Sequence, residues 1–296
     1  LDQTKLDFDG SLEWRDGIRR ALRGRFQYVE YEHAEIEGDS VGTQFNRSGW
    51  EARIESDHVW TDDAIGIWGI QVSGNEHEAD GPESLTPDAD HSALAVFALE
   101  EWTRGDTVFN IGARAERVDI ETIDGLGYED WSTSASFGSK WTFAEGWSFN
   151  WILARSERHP SITELYADGA HAATRQYTIG DSGLEKESSL SADIGIQYAG
   201  ERWSTRLSLF GNRFDDYIYD TPTGASEHGL PVFEYRAADA QFHGLEWEAE
   251  FAAIQETGRS LRIRAMADWV KANLLDDPES LPRVPPVRLG AEILYD

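Results

Sequence analysis

Five histidines carry the most evident chemistry in this chain: His77, His91, His159, His171 and His228. Imidazole binds zinc, copper and haem iron at neutral pH, and nearby carboxylates can complete such a shell. Asp80, Glu83, Asp88 and Asp90 share the segment that carries His77 and His91. The spacing matches no recognised zinc pattern, so the five are candidate metal contacts and not a defined site. The plainer account is that polar residues gather in loops whatever their role. His33 lies near the end of its strand. Three further groups could do chemistry. Glu246, Glu248 and Glu250 recur at period two, and paired carboxylates can act as acid and base. Arg262 and Arg264 on the following strand offer them structural partners, which is the preferred reading. Asp215 and Asp216 beside Tyr217 read as a solvated cluster. Ser161 near His159, with Arg155, Arg158 and Glu164 around them, is the one nucleophile–base pair that can be named, and no nucleophile motif accompanies it.

The elements that must position these groups are strands. Leu6, Phe8, Gly10, Leu12 and Trp14 share a parity, as do Trp50, Ala52 and Ile54 against Glu51, Arg53 and Glu55. Leu190, Ala192, Ile194, Ile196 and Tyr198, and then Leu245, Trp247, Ala249 and Phe251, repeat the pattern. That is the period of a strand with one apolar face. The pattern predicts about thirteen strands, most near the roughly 9–11 residues that cross a bilayer at a tilt. Short turns (Arg15-Asp16-Gly17, Thr103 to Asp106, Ala144-Glu145-Gly146, Ala199-Gly200-Glu201, Glu256-Thr257-Gly258) alternate with longer polar connections. The longer ones are expected at Glu37–Gln44, Asn75–Asp90, Gly125–Gly127, Arg158–Ser189, Asp220–Val232 and around Leu281–Pro286. Bacterial outer-membrane barrels alternate short periplasmic turns with long extracellular loops. Trp102, Trp141, Trp147, Tyr198 and Trp203 beside the short turns fit an interfacial girdle.

Composition agrees. Twelve Trp, 27 Gly and no Cys accompany a net charge of −29, which excludes nucleic acid as a partner because phosphates demand a basic surface. No apolar run approaches the roughly 18 residues of a membrane-spanning helix, a test that barrel strands escape. The first residues, LDQTKLDFDG, show no signal-peptide pattern.

The segment Arg158–Ser189, RHPSITELYADGAHAATRQYTIGDSGLEKESS, together with Asn212–Tyr219 (NRFDDYIY), His243–Ala249 (HGLEWEA) and Leu281–Leu289 (LPRVPPVRL), resembles the TonB-dependent outer-membrane receptors. The wording is closest to the zinc- and haem-uptake branch. The resemblance implies an all-β fold: an antiparallel transmembrane β-barrel section within a barrel of about 22 strands. It also implies an amino-terminal plug and a TonB-box peptide that couples to the TonB complex. Neither is recognisable here, nor is a final strand ending in an aromatic residue. Residues 1–296 are therefore expected to be the central barrel section of a bacterial outer-membrane protein, surrounded by lipid. Its function is expected to be TonB-dependent uptake of a scarce nutrient, a metal ion or a metal complex (siderophore, haem or zinc), with no resident cofactor and no catalysis. The alternatives are a passive porin, which an inward-folded long loop would favour, and a barrel hydrolase built on Ser161 and His159.

Overall fold

The computed structural model describes residues 1–14, 17–37, 40–81, 84–171, 174–276 and 281–296. Eight strands run up and down in sequence: β1 (Asp2–Glu13), β2 (Arg19–Glu37), β3 (Ser40–Thr61), β4 (Ala64–Asp80), β5 (Ala89–Arg104), β6 (Thr107–Thr122), β7 (Gly127–Ala144) and β8 (Trp147–Arg158). A one-turn helix, α1 (Ile162–Tyr166), and two short strands, β9 (Asp168–His171) and β10 (Gln176–Ile179), occupy the long connection that follows. The meander then resumes with β11 (Glu187–Ala199), β12 (Trp203–Glu227), β13 (Leu230–Glu256), β14 (Arg259–Leu274) and β15 (Arg288–Tyr295). Neighbouring long strands pair antiparallel, and β8 pairs directly with β11. The parallel pairing among the described residues is that of β10 on β13. Among the described residues the thirteen long strands match the expected number. No helix among the described residues is long and apolar enough to cross a membrane, which says nothing of strands.

Register separates the two faces. Phe8 lies opposite Phe26, Phe26 opposite Ala52, Ala52 opposite Val72 and Val72 opposite Leu94. Ile54, Ile70 and Val96 line up one row away and stay 57%, 52% and 48% exposed. A water-facing monomer rarely shows so wide an apolar surface, whereas lipid accepts it. The opposite face is charged. Arg53 pairs with Glu55 at 2.6 Å and Arg114 with Glu116 at 2.6 Å. Gln71 donates to Glu51 at 2.8 Å and accepts from Arg114 at 3.1 Å. Glu246, Glu248 and Glu250 lie on this face as expected, and Glu250 pairs with Arg264 at 3.1 Å.

At the short-turn end, rings link successive turns. Trp141 contacts Phe143 (5.4 Å between centroids), Phe143 contacts Trp147 (6.2 Å), Trp147 contacts Tyr198 (4.9 Å) and Tyr198 contacts Trp203 (5.8 Å). Each such pair contributes about 0.5–1.5 kcal/mol beyond its buried area.

The opposite end corrects the expected loops. Of the segments expected to be irregular, Glu37–Gln44 and Asp220–Val232 are continuing strand where described, and Asn75–Asp90 is so at both ends. β4 runs on to Asp80, β12 to Glu227, and β13 begins at Leu230. Both faces are wet there, so the backbone still pairs while the apolar alternation that marks a half-buried strand vanishes. A two-residue turn at His228 (φ 49) and Gly229 (φ 79) closes the tallest hairpin, since twisted strands favour a turn with positive φ at both central positions. Asp215 and Asp216 sit at a bulge between Phe214 and Tyr217, with Asp216 at φ 57. Arg15 and Asp16 of the first expected turn, and Glu83, lie outside the described residues.

Candidate functional site

The long connection between β8 and β11 folds over the polar face. Arg158, the last residue of β8, grips both ends of it. Its guanidinium reaches Glu164 in α1 at 2.9 and 3.1 Å and Glu187 at the start of β11 at 2.9 Å. These paired carboxylates hold its pKa above the usual arginine value, the Glu187 hydrogen bond first, with burial opposing. Ser161 and Glu164 form a capping box: the Glu164 amide donates to Ser161 Oγ at 3.3 Å, and the Ser161 amide donates to Glu164 Oε2 at 2.7 Å. The Ser161 hydroxyl is thus a helix cap, and His159 faces Tyr128 instead of Ser161.

Leu165 and Tyr166 of α1 pack with Ala89, Val118, Ile120, Leu184 and Ile218. The most developed apolar cluster of the molecule therefore lies at the long-loop end, on the polar side of the sheet. Gly180 fits against α1 so closely that a Cβ would stand 2.6 Å from the Tyr166 amide nitrogen. Its own amide donates to Ala167 O at 2.6 Å, and the next amide, of Asp181, donates to Glu164 O at 2.9 Å. The family-like wording of this segment, Arg-x-Pro-Ser-Ile-x-Glu-Leu-Tyr and Ile-Gly-Asp, thus spells a clasp. The hairpin β9–β10 lies beyond it. Asp168 N donates to Leu85 O at 2.9 Å, β10 aligns Tyr177 with Val232, and Arg283 binds Asp220 through two bonds of 3.0 and 3.2 Å. Four connections are knitted into one layer.

The five expected histidines divide into two sets. His77 and His91 stand on adjacent strands, where the register sets Asn75 opposite His91 and His77 opposite Ala89. His159 is near enough to His91 to feel its charge. Burial pushes all three imidazoles below their ordinary pKa, and Arg47 lowers His77 further. Arg47 Nε donates to His77 Nδ1 at 3.0 Å, which leaves the proton on Nε2 and makes that atom a hydrogen-bond donor. Asn75 Nδ2 stands 3.2 Å from His91 Nδ1, and the Tyr128 hydroxyl 3.0 Å from His159 Nδ1. His159 Nε2 is shut off from solvent with no hydrogen-bond partner. Burial raises the Tyr128 phenol to about 12, with Asp130 and Glu185 adding.

His171 and His228 lie apart from this row. His171 Nδ1 is 2.7 Å from Thr174 Oγ1, and the His228 ring sits 6.0 Å from that of Tyr177 at the hairpin tip. The Tyr177 hydroxyl donates to Asp168 at 2.8 Å, which with burial raises it to about 12. Among the described residues no three His, Cys, Asp or Glu side chains gather into a metal-holding group.

Sequence reasoning passed over His58. His58 is 4% exposed on the apolar face, with Nε2 2.8 Å from Glu100, and Trp60 Nε1 donates to the same carboxylate at 3.1 Å. Gly66 makes room, since a Cβ there would be 2.4 Å from Glu100 Oε2 and 2.6 Å from His58 Nε2. The available signal was parity: His58 shares that of Ile54 and Ser56.

A family model described as "TonB dependent receptor-like, beta-barrel" matches residues 2–296. Among solved structures, the copper transporter OprC superposes with a TM-score of 0.83 at 17% identity, over 98% of this chain and 49% of its own. The FrpB iron transporter from Neisseria meningitidis gives 0.70 at 17% identity, over 92% and 43%. A double mutant of the Serratia marcescens hemophore receptor HasR, solved with its hemophore HasA and heme, gives 0.72 at 14% identity, over 90% and 48%. The chain spans about half the length of these structures. Identities this low carry the fold alone.

Proposed function

The chain belongs to the TonB-dependent receptor β-barrel family, and from that premise we propose that it is barrel wall of a bacterial outer-membrane receptor that imports a metal complex. In this reading residues 1–296 are one section of the barrel, held in outer-membrane lipid by the apolar face. The plug that couples to the TonB complex belongs elsewhere in the receptor. The observation that carries the proposal is the clasped layer of connections set over the polar face of a sheet whose other face is apolar. A wall of that kind encloses a wet interior and presents a folded surface at one mouth. The similar solved structures include a copper transporter, an iron transporter and a hemophore receptor, which supports a metal-bearing cargo.

The histidines enter as cargo contacts. His77 offers an Nε2–H, and His91 offers the same when its Nδ1 accepts from Asn75. Such donors suit oxygen atoms of an organic chelator better than they suit a bare ion, which needs a free lone pair. His159 stands beside them, and His171 and His228 would meet cargo first at the outer rim. The supporting test is uptake by cells of radiolabelled copper, zinc, haem and ferric chelates through the full-length receptor. Import of one of these that stops when the proton gradient is collapsed is the expected result.

One observation favours a second reading. A loop folded inward is what a passive porin uses as its constriction, and α1 lies on the polar face. Uptake that survives loss of the gradient and extends to unrelated small solutes would establish the porin and remove the receptor.

A further inference from the structure

The polar face is not uniform. On β2 to β6 its middle is a lattice of ion pairs, Arg53–Glu55 and Arg114–Glu116 among them. On β13 to β15 it is another, with Arg264 between Glu250 and Glu292 and Arg288 on Asp268 at 2.6 Å. Between them, beside β12, the strands β7, β8 and β11 carry mostly hydroxyls and small side chains on this face, with Asn150, Ile152 and Gln197 as the larger neutral ones. Ser136 lies opposite Ala154, Ala154 opposite Ser191 and Ser191 opposite Asn212. Ser134, Ser156 and Ser189 share the same parity one step toward the loops. Across the polar-face positions of Ser132–Lys140, Ser148–Ser156 and Ser189–Gln197, the ionisable side chains are Asp193 and Lys140. Three adjacent strands make this strip about 14 Å wide.

The chain leaves β8 at Arg158 and returns to β11 at Glu187, so the clasped connection rises from two of the three strands that form the strip and stands at its upper end.

We infer that the serine strip of β7, β8 and β11 is the wall along which cargo moves through the barrel, with the connection above it as the cover that must lift. The inference rests on the import reading and names the path within it. The chemical ground is the strength of the contacts on offer. Fixed ion pairs hold a charged solute too tightly or repel it, whereas a file of hydroxyls gives weak, interchangeable hydrogen bonds that a polar solute can trade in steps. Lattices of paired charge are better suited to keeping the wall rigid.

The 296 residues hold no cysteine, and any cysteine elsewhere in the receptor is first replaced by serine, so that each introduced thiol is the single label site. Ser136→Cys, Ser191→Cys and, as a control within the ion-pair lattice, Ser73→Cys are introduced singly into the full-length receptor. Each is treated with a bulky membrane-impermeant maleimide. Uptake and surface binding of the identified cargo are then measured separately. Labelling at 136 or 191 is expected to cut uptake tenfold or more while binding stays within twofold, and labelling at 73 to leave both within twofold. Normal uptake through receptors labelled at 136 and 191, or an equal block from the label at 73, overturns the inference while leaving import standing. No uptake by the unmodified receptor refutes the import reading first, and the path with it.

Discussion

Arg158→Ala should unfasten the connection between β8 and β11 without unfolding the sheet. The guanidinium is 45% exposed, but the two carboxylates it holds are only 14% and 10% exposed. Removing one member of a buried pair costs about 3–5 kcal/mol, and a surface pair is worth about 0–1 kcal/mol. A half-exposed cation on two nearly covered anions falls between, at about 2–3 kcal/mol of local stability. That corresponds to an increase of about 30- to 150-fold in the fraction of time the clasp is open. Hydrogen exchange on the purified protein in detergent reads it through three amides: Gly180 bound to Ala167 O, Asp181 to Glu164 O, and Leu184 to Asp181 O. All three should exchange faster by that factor, while the Ile194 and Ile196 amides of β11 keep their wild-type rates. A change under about threefold at Gly180 and Asp181 would show that the apolar packing of Leu165 and Tyr166 holds the connection unaided, and would refute the reasoning.

Other substitutions probe separate parts. Gly180→Ala drives a methyl against backbone nitrogen of α1 and should cost about 1–3 kcal/mol, seen as faster proteolysis between Arg158 and Glu187; unchanged digestion would mean that α1 shifts freely. Gly66→Ala should displace the Glu100 carboxylate from His58 and lower the melting temperature in detergent, where an unaltered melt would argue against the tight cradle. His77, His91 and His159 have depressed pKa values in the fold, so the unfolded chain binds more protons between those values and about 6.5. Stability therefore rises with pH across that window and falls on acidification. A triple Gln variant should lose less melting temperature than wild type between pH 7.5 and 4.5, and identical slopes would remove these groups from the account. Tyr177→Phe should remove one late-ionising phenol near pH 12 from an ultraviolet titration, and an unchanged late amplitude would take the Asp168 hydrogen bond out of the account.

The two-faced part of the sheet was legible because one face is apolar and the other is not. Leu190 to Tyr198 and Leu245 to Phe251 announce their parity without help, and the short turns follow from them. Legibility failed where the environment became the same on both sides. Asp220 to Val232 has no apolar alternation to read, yet Thr221 pairs with Glu234 and Pro222 with Phe233. The clasp was visible as a run of motif residues, but its mechanics depend on Arg158 meeting Glu187, 29 positions away, and no local period encodes that. His58 and Glu100 were hidden for the same reason, 42 positions apart on different strands. The histidine set was legible only as a list of donors. That Arg47 consumes the His77 Nδ1 lone pair is a matter of cross-strand register, set by Arg47 lying opposite His77.

The length of β13 bears on the encounter with the surroundings. Its 27 residues, at about 3.3 Å each and tilted by about 40°, give a height of about 70 Å against an apolar band of about 25 Å. The hairpin capped by His228 and Gly229 thus stands like a mast some 40 Å clear of the lipid. In the proposed outer-membrane setting, anything large that approaches, such as an antibody, strikes that tip before it can reach the mouth. Sequence drift at the tip would change who docks without touching the wall below, and a reporter peptide spliced at Gly229 would signal arrivals while the machinery beneath keeps working.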